Sequence, residues 1–175
     1  MRGNDEKIAD VFLLPGESCF VGSTTRVRTL LGSCVALTMW HPLLRIGGMC
    51  HFVLPTRIDS CDGSLDGRYG DEALRILLAH AAKWSAAPRQ FHVKLFGGSS
   101  VVAGDARNAG RSVGAKNLVC ARRLCAEFGL RIAGEHTGGT GHRSVRMDMR
   151  DGLVWVRYSD PSTVERGHSR SRRVG

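Results

Sequence analysis

The chain has 175 residues, 42% of them hydrophobic, which suits one domain with its own core. Lys and Arg outnumber Asp and Glu by 25 to 16, a net charge of +9. No basic helix with interleaved aromatics accompanies that charge, so a nucleic-acid module is disfavoured.

No apolar run reaches the ~18 residues of a membrane span. The polar start MRGNDEKIADVFLLPGES lacks the form of a signal peptide. A cytoplasmic location without membrane insertion is expected. The six cysteines are Cys19, Cys34, Cys50, Cys61, Cys120 and Cys125. In that compartment they are expected to be reduced thiols. There is no C-x-x-C pair, so a structural zinc site is not expected, and no motif in the sequence calls for another cofactor.

Residues 8–14 and 18–22 read as short strands around Pro15-Gly16. Residues 26–31, 35–40 and 46–54 are three more, the last ended by Pro55. The polar, Asp- and Gly-rich stretch 56–70 reads as a mobile loop in which Cys61 is exposed. Ala73, Leu74, Leu77, Leu78 and Ala81 recur at helical spacing, predicting a helix from an Asp71 cap to about Trp84. Residues 91–96 alternate like a strand into Gly97-Gly98, and a glycine-containing loop follows. A second helix is predicted from about Gly114 to Phe128, closed by Gly129. Residues 130–136, 143–149 and 153–158 complete the strands, the last two joined by an Asp151-Gly152 hairpin turn. The final residues, STVERGHSRSRRVG, are basic and nearly free of apolar side chains. Residues 160–175 are expected to be a disordered tail beside a single domain of residues 1–159. The class is therefore α+β: a β-sandwich or mixed sheets with two flanking helices.

One hairpin carries chemistry. If its loop is His41-Pro42-Leu43-Leu44, opposed residues sum to 85, and Cys34 stands directly across from His51. A bulge at Gly47-Gly48 would break that pairing. A thiol beside an imidazole is the pair that acyl transfer needs. The imidazolium lowers the thiol pKa, and the ring later returns a proton to a leaving amine. Gly32 and Ser33 let backbone approach closely and offer N–H donors to an oxyanion. The plain alternative is a small buried cysteine and a core histidine. Cys19, Cys50, Cys120 and Cys125 lie on apolar faces and read as packing. GRSVGAKN is not a phosphate loop, and the His136/His142 pair around TGGTG is a poor metal site.

LGSCVAL around Cys34, GGMCHFVLP around His51 and YGDEAL at 69–74 follow one another in order. KLFGGSS at 94–100, SVGAKN at 112–117 and HTGGTGHRSV at 136–145 continue the series. With these motifs the chain, over roughly residues 8–158, resembles CheD, the chemoreceptor glutamine deamidase of bacterial chemotaxis. The resemblance implies hydrolysis of glutamine side-chain amides in methyl-accepting chemotaxis receptors, releasing ammonia. It implies Cys34 as nucleophile and His51 as base and acid. It implies a threonine upstream as third member. Thr29, five positions before Cys34, is the candidate. In some members the threonine lies six before, where Arg28 stands here, so the match needs a one-residue gap. It also implies a fold like that of toxin deamidases of the cytotoxic necrotizing factor type, and CheC phosphatase as a possible partner. The family more usually has a small or polar residue at Cys50, and strand alternation turns this thiol away from His51. Two rival readings remain: a non-catalytic regulator binding receptor or CheC, and a receptor methylesterase using the same acyl-enzyme route.

Overall fold

The structure is a computed structural model and describes residues 8–58, 63–100, 111–160 and 170–174. Its elements in chain order are β1 (Ala9–Leu13), β2 (Ser18–Gly22), β3 (Thr25–Leu31), β4 (Val35–His41) and β5 (Ile46–Phe52). Helix α1 (Gly70–Ala82), β6 (His92–Gly97) and α2 (Val113–Glu127) follow. Strands β7 (Arg131–Thr137), β8 (His142–Asp148), β9 (Val154–Ser159) and β10 (Arg170–Val174) end the chain.

Hydrophobic patterning sets the layers. In β3, Thr25, Val27, Thr29 and Leu31 are buried while Arg28 and Leu30 face water, as expected of a strand with one wet side. It belongs to an outer sheet of order β1-β3-β8-β9-β10. By contrast, β4 and β5 are buried almost throughout. They sit in a second sheet, β2-β5-β4-β6-β7, that is covered on both faces. One face packs Ala36, Met49 and Phe96 against Val27, Leu31, Val145 and Val156 of the outer sheet. The other packs Leu37, Cys50, Phe52 and Leu95 against Leu74 and Leu77 of α1 and Leu118 and Leu124 of α2. The layers therefore run sheet, sheet, helices, in agreement with the α+β sandwich expected.

Several local expectations are corrected. Asp71 is not the cap of α1; Tyr69 holds that place and makes no side-chain cap bond. The stretch after Pro55 is not simply loose. Residues 59–62, with Cys61, lie outside the described residues, but Arg57 grips both Glu72 carboxylate oxygens at 2.9 Å and the Ser64 carbonyl at 2.6 Å. The β8–β9 connection is residues 149–153, not a two-residue turn, and Gly152 takes a left-handed φ of 69° within it. Within the expected disordered tail, residues 170–174 are ordered. Residues 161–169 lie outside the described residues, but Arg170–Val174 form an antiparallel edge strand on β9. Backbone pairing orders this segment without an apolar stripe. In addition, the buried Lys94 donates from Nζ to the Val174 carbonyl at 3.0 Å. Among the described residues, no helix is long and apolar enough to cross a membrane.

Candidate active site

The hairpin of β4 and β5 is present, but its register is two residues from the one expected. The turn comprises Pro42, Leu43, Leu44 and Arg45, one position later than the predicted loop. His41 sets it: its carbonyl accepts from Arg45 N–H at 2.9 Å, and its Nδ1 accepts from Leu44 N–H at 3.2 Å. Arg45 closes the turn at a left-handed φ of 50°. His41 then pairs with Ile46, and His51 stands opposite Ala36 rather than Cys34. The bulge at Gly47-Gly48 is absent; these glycines pair regularly with Met39 and Trp40. They serve close approach instead, since a Cβ on Gly47 would meet the Met39 carbonyl at 2.2 Å.

Cys34 lies just before β4, two residues from Ala36, in the bend formed by residues 32–34. Its half-buried side chain packs against the core between the sheets, on which Ala36 also lies. Cys34 and His51 are thus diagonal neighbours on one face, a separation of roughly 7–8 Å between ladder positions. His51 is 1% exposed, and its Nε2 has no hydrogen-bond partner among the described residues. Sγ and Nε2 therefore form no hydrogen bond in this conformation. Catalytic hydrogen bonds often tighten only around substrate.

The other ring nitrogen is firmly held. Nδ1 of His51 lies 2.8 Å from Oγ1 of Thr29, which reaches across from the outer sheet. The same hydroxyl donates to the Leu13 carbonyl at 2.9 Å. A hydroxyl has one proton; spent on Leu13, it leaves only a lone pair for the histidine. Nδ1 therefore carries the ring proton, and Nε2 presents a free lone pair. Thr29, the candidate for the third position, is buried against the ring, whereas Arg28, at the place six before Cys34, points outward and pairs with Asp10 at 3.6 Å.

Electrostatics bear on a second expectation, that of an imidazolium lowering the thiol pKa. Burial pushes the Cys34 thiol above its ordinary value, with its own backbone N–H pulling weakly the other way. Burial also holds the His51 imidazole below its ordinary value, against the opposing pull of the Leu13 carbonyl and the Glu17 charge. Both shifts favour the neutral thiol and the neutral imidazole over a preformed thiolate–imidazolium pair. Cys50 sits on the helix-facing core, its thiol pushed up to about 12 by burial, turned away from His51 as alternation implied.

The loop carrying Cys34 is clamped from three sides. Gly98 N–H donates to the Cys34 carbonyl at 2.8 Å and Ser99 N–H to the Gly32 carbonyl at 2.9 Å. Gly97 must be glycine here: its φ is 101°, and a Cβ would lie 2.2 Å from the Cys34 carbonyl. Buried Arg143 steadies the 97–99 loop in turn, donating to Ser99 Oγ, His136 Nδ1 and the Gly138 carbonyl. The N–H groups of Ser33 and Cys34 have no backbone acceptor among the described residues.

Asn117 is the residue that sequence reading missed. It is fully buried on α2, and its Nδ2 donates to the Ser33 carbonyl at 3.1 Å and to the Val53 carbonyl at 2.8 Å. One side chain thus ties the loop before Cys34 to the strand end after His51. Its Oδ1, like His51 Nε2, is a buried polar atom without a partner among the described residues. The signal was present in SVGAKN, where Gly114 and Asn117 share a helix face; a Cβ on Gly114 would strike the 98–99 backbone at about 2.5 Å. Among the described residues, no three His, Cys, Asp or Glu side chains gather as a metal site.

The family model of CheD, chemotactic sensory transduction, matches residues 53–158. A protein of Pseudomonas syringae pathovar syringae is 45% identical over 160 residues, covering 91% of this chain and 90% of its own. It carries the name probable chemoreceptor glutamine deamidase CheD. This chain belongs to the CheD family. A second relative, from Dechloromonas aromatica, bears the name probable chemoreceptor glutamine deamidase CheD 3 and is 39% identical, covering 94% of this chain and 96% of its own. A third, from Leptospira interrogans, is named probable chemoreceptor glutamine deamidase CheD 1 and is 34% identical, covering 86% of this chain and 93% of its own. The CheD model begins after Cys34 and His51 and takes in Asn117 and Arg143. The relatives extend over nearly the whole chain.

Proposed function

We propose that this chain is a chemoreceptor glutamine deamidase, a protein-glutamine amide hydrolase with Cys34 as nucleophile. One observation carries the reading most. A buried histidine has its proton fixed on Nδ1 by Thr29 and its unpartnered Nε2 on the same face as a half-buried thiol. That is the arrangement of a general base awaiting its proton donor.

In the proposed reaction, substrate closes the gap and Nε2 takes the thiol proton as Sγ bonds to the glutamine Cδ. The developing oxyanion is received by the N–H groups of the Gly32-Ser33-Cys34 bend. Protonated His51 gives its proton to the departing nitrogen, the C–N bond breaks, and ammonia leaves a thioester. Water then attacks the thioester, losing a proton to Nε2. The carbon–sulfur bond breaks, and His51 returns the proton to the thiol, leaving glutamate. A methylesterase would use the same route with methanol as leaving group; the relatives' printed names favour the amide. The three-layer arrangement of sheet, sheet and helices supports reading the fold as related to toxin deamidases of the cytotoxic necrotizing factor type. A cytoplasmic setting, an interaction with CheC phosphatase and a single domain over residues 1–159 belong to the same proposal.

The test is mass spectrometry of chemoreceptor fragments incubated with the protein. Deamidation adds about one dalton at specific glutamines, and Cys34→Ala and His51→Ala abolish the gain. Receptor glutamines left unchanged by the wild-type protein, or changed equally by Cys34→Ala, refute the reading.

A further inference from the structure

The outer face of the outer sheet is strongly basic. Register places Arg28 opposite Arg146, Arg146 opposite Trp155, and Trp155 opposite Arg173, one row across four strands. The adjoining row is Leu30, Ser144, Arg157 and Ser171. Arg28, Ser144, Arg146, Trp155, Arg157 and Ser171 line a shallow depression of about 280 Å³. Arg146 stacks on Trp155, guanidinium to ring centre 5.2 Å.

Neither row contains a carboxylate. Among the described residues, Arg146, Arg157 and Arg173 form no ion pair, and only Arg28 has one, with the half-exposed Asp10. Two arginines directly opposed on a ladder destabilise it. A surface that had only to stay wet would intersperse the two signs. Guanidinium forks, two hydroxyls, an indole and the exposed Leu30 together match an acidic protein segment with an apolar stripe. Arginine and tryptophan are enriched at protein–protein hot spots, and the guanidinium fork fits carboxylates two-handed.

Position adds a second argument. On β3, Arg28 and Leu30 point outward while Thr29, between them, points inward to His51. Leu30 is four residues from Cys34, a path of roughly 13 Å along extended chain. A substrate entering over the Gly32-Ser33 rim therefore passes this face. We infer that the arginine face is an exosite for an acidic stretch of the substrate protein, about nine to thirteen residues along a helix from the target glutamine, the spans to Leu30 and to Arg28. This rests on the deamidase reading and deepens it.

The experiment compares two helical peptides with the same glutamine. One carries a cluster of glutamates about nine to thirteen residues away; the other carries serines there. Two exposed arginine–carboxylate pairs are together worth about tenfold. The acidic peptide should have a KM lower by that factor, and 0.5 M NaCl should erase the difference. Arg146→Glu/Arg157→Glu should raise KM for the acidic peptide to that of the serine peptide or above, without lowering kcat. Arg75→Glu/Arg89→Glu, an equal charge change at exposed sites on other elements, should keep the preference. Fluorescence anisotropy of the acidic peptide, lacking its glutamine, measures binding separately. If the wild-type protein deamidates neither peptide, the deamidase reading fails and binding alone decides the surface. A preference that survives the double reversal overturns the exosite. So does tighter binding of duplex DNA, or of phosphatidylglycerol vesicles, through the same arginines.

Discussion

Replacing Thr29 by Val tests the site at its most constrained point. Valine keeps the β-branch and nearly the volume but removes the hydroxyl. The Leu13 carbonyl loses a donor at 2.9 Å, and His51 Nδ1 loses an acceptor at 2.8 Å. Thr29 is 1% exposed, so water does not take the hydroxyl's place. A buried polar group left unpaired costs about 1–3 kcal/mol. The two together give roughly 2–4 kcal/mol, less than the maximum because the Leu13 carbonyl also faces the His51 ring. Urea denaturation measures that loss. The effect on activity comes from the tautomer: without the hydroxyl, Nδ1–H is less favoured and Nε2 is less often the free base. The expected fall in kcat is about 10²-fold, the lower end of what a general base supplies. Thr29→Ser retains the hydroxyl and should stay within a few-fold of wild type, losing about 1 kcal/mol for the methyl group. A Val variant with wild-type kcat, or a Ser variant as impaired as Val, refutes the reasoning.

The neutral resting pair predicts a pH profile. Activity should rise with pH through a midpoint below the ordinary imidazole value of 6.5 and persist beyond the ordinary thiol value of 9.0. Ultraviolet thiolate absorbance that shows Cys34 ionised at neutral pH refutes this. The depressed His51 pKa also contributes stability above about 6.5 that is lost as pH falls further, because the unfolded chain then takes up the proton first. Thermal melts across that range of the wild type and His51→Gln should differ in slope. Asn117→Leu deletes both tethers to Ser33 and Val53 and should cost about 2–4 kcal/mol in urea denaturation. Its kcat should fall more than KM rises, since the clamp aligns loop and strand and does not touch substrate. Cys50→Ala, on the helix side of the sheet, should keep kcat while losing about 1 kcal/mol of stability; a dead but folded variant contradicts its passive role. Truncation after Asp160 removes the Val174 acceptor of Lys94 and the partner of β9, and a lower melting temperature is the expected readout.

Much of this protein is legible in one dimension. Period-two alternation and helical spacing locate nine of the ten strands and both helices among the described residues, because each element must bury a face regardless of its neighbours. The tenth, β10, has no such pattern; its order comes from the free edge of β9 and from Lys94, which no local reading contains. The residues at the site are also visible as LGSC and CHF, with Thr29 among the candidates. Their geometry is not. A one-position difference in a four-residue turn, set by the His41 side chain, moves Cys34 from opposite His51 to its diagonal. The choice between Arg28 and Thr29 depends on which side of β3 faces inward. Asn117 joins segments 64 and 84 residues away in sequence. The protonation state of the thiol depends on burial between two sheets, which desolvates both groups. Chain order specifies which chemical groups are present; only packing decides which of them share a proton.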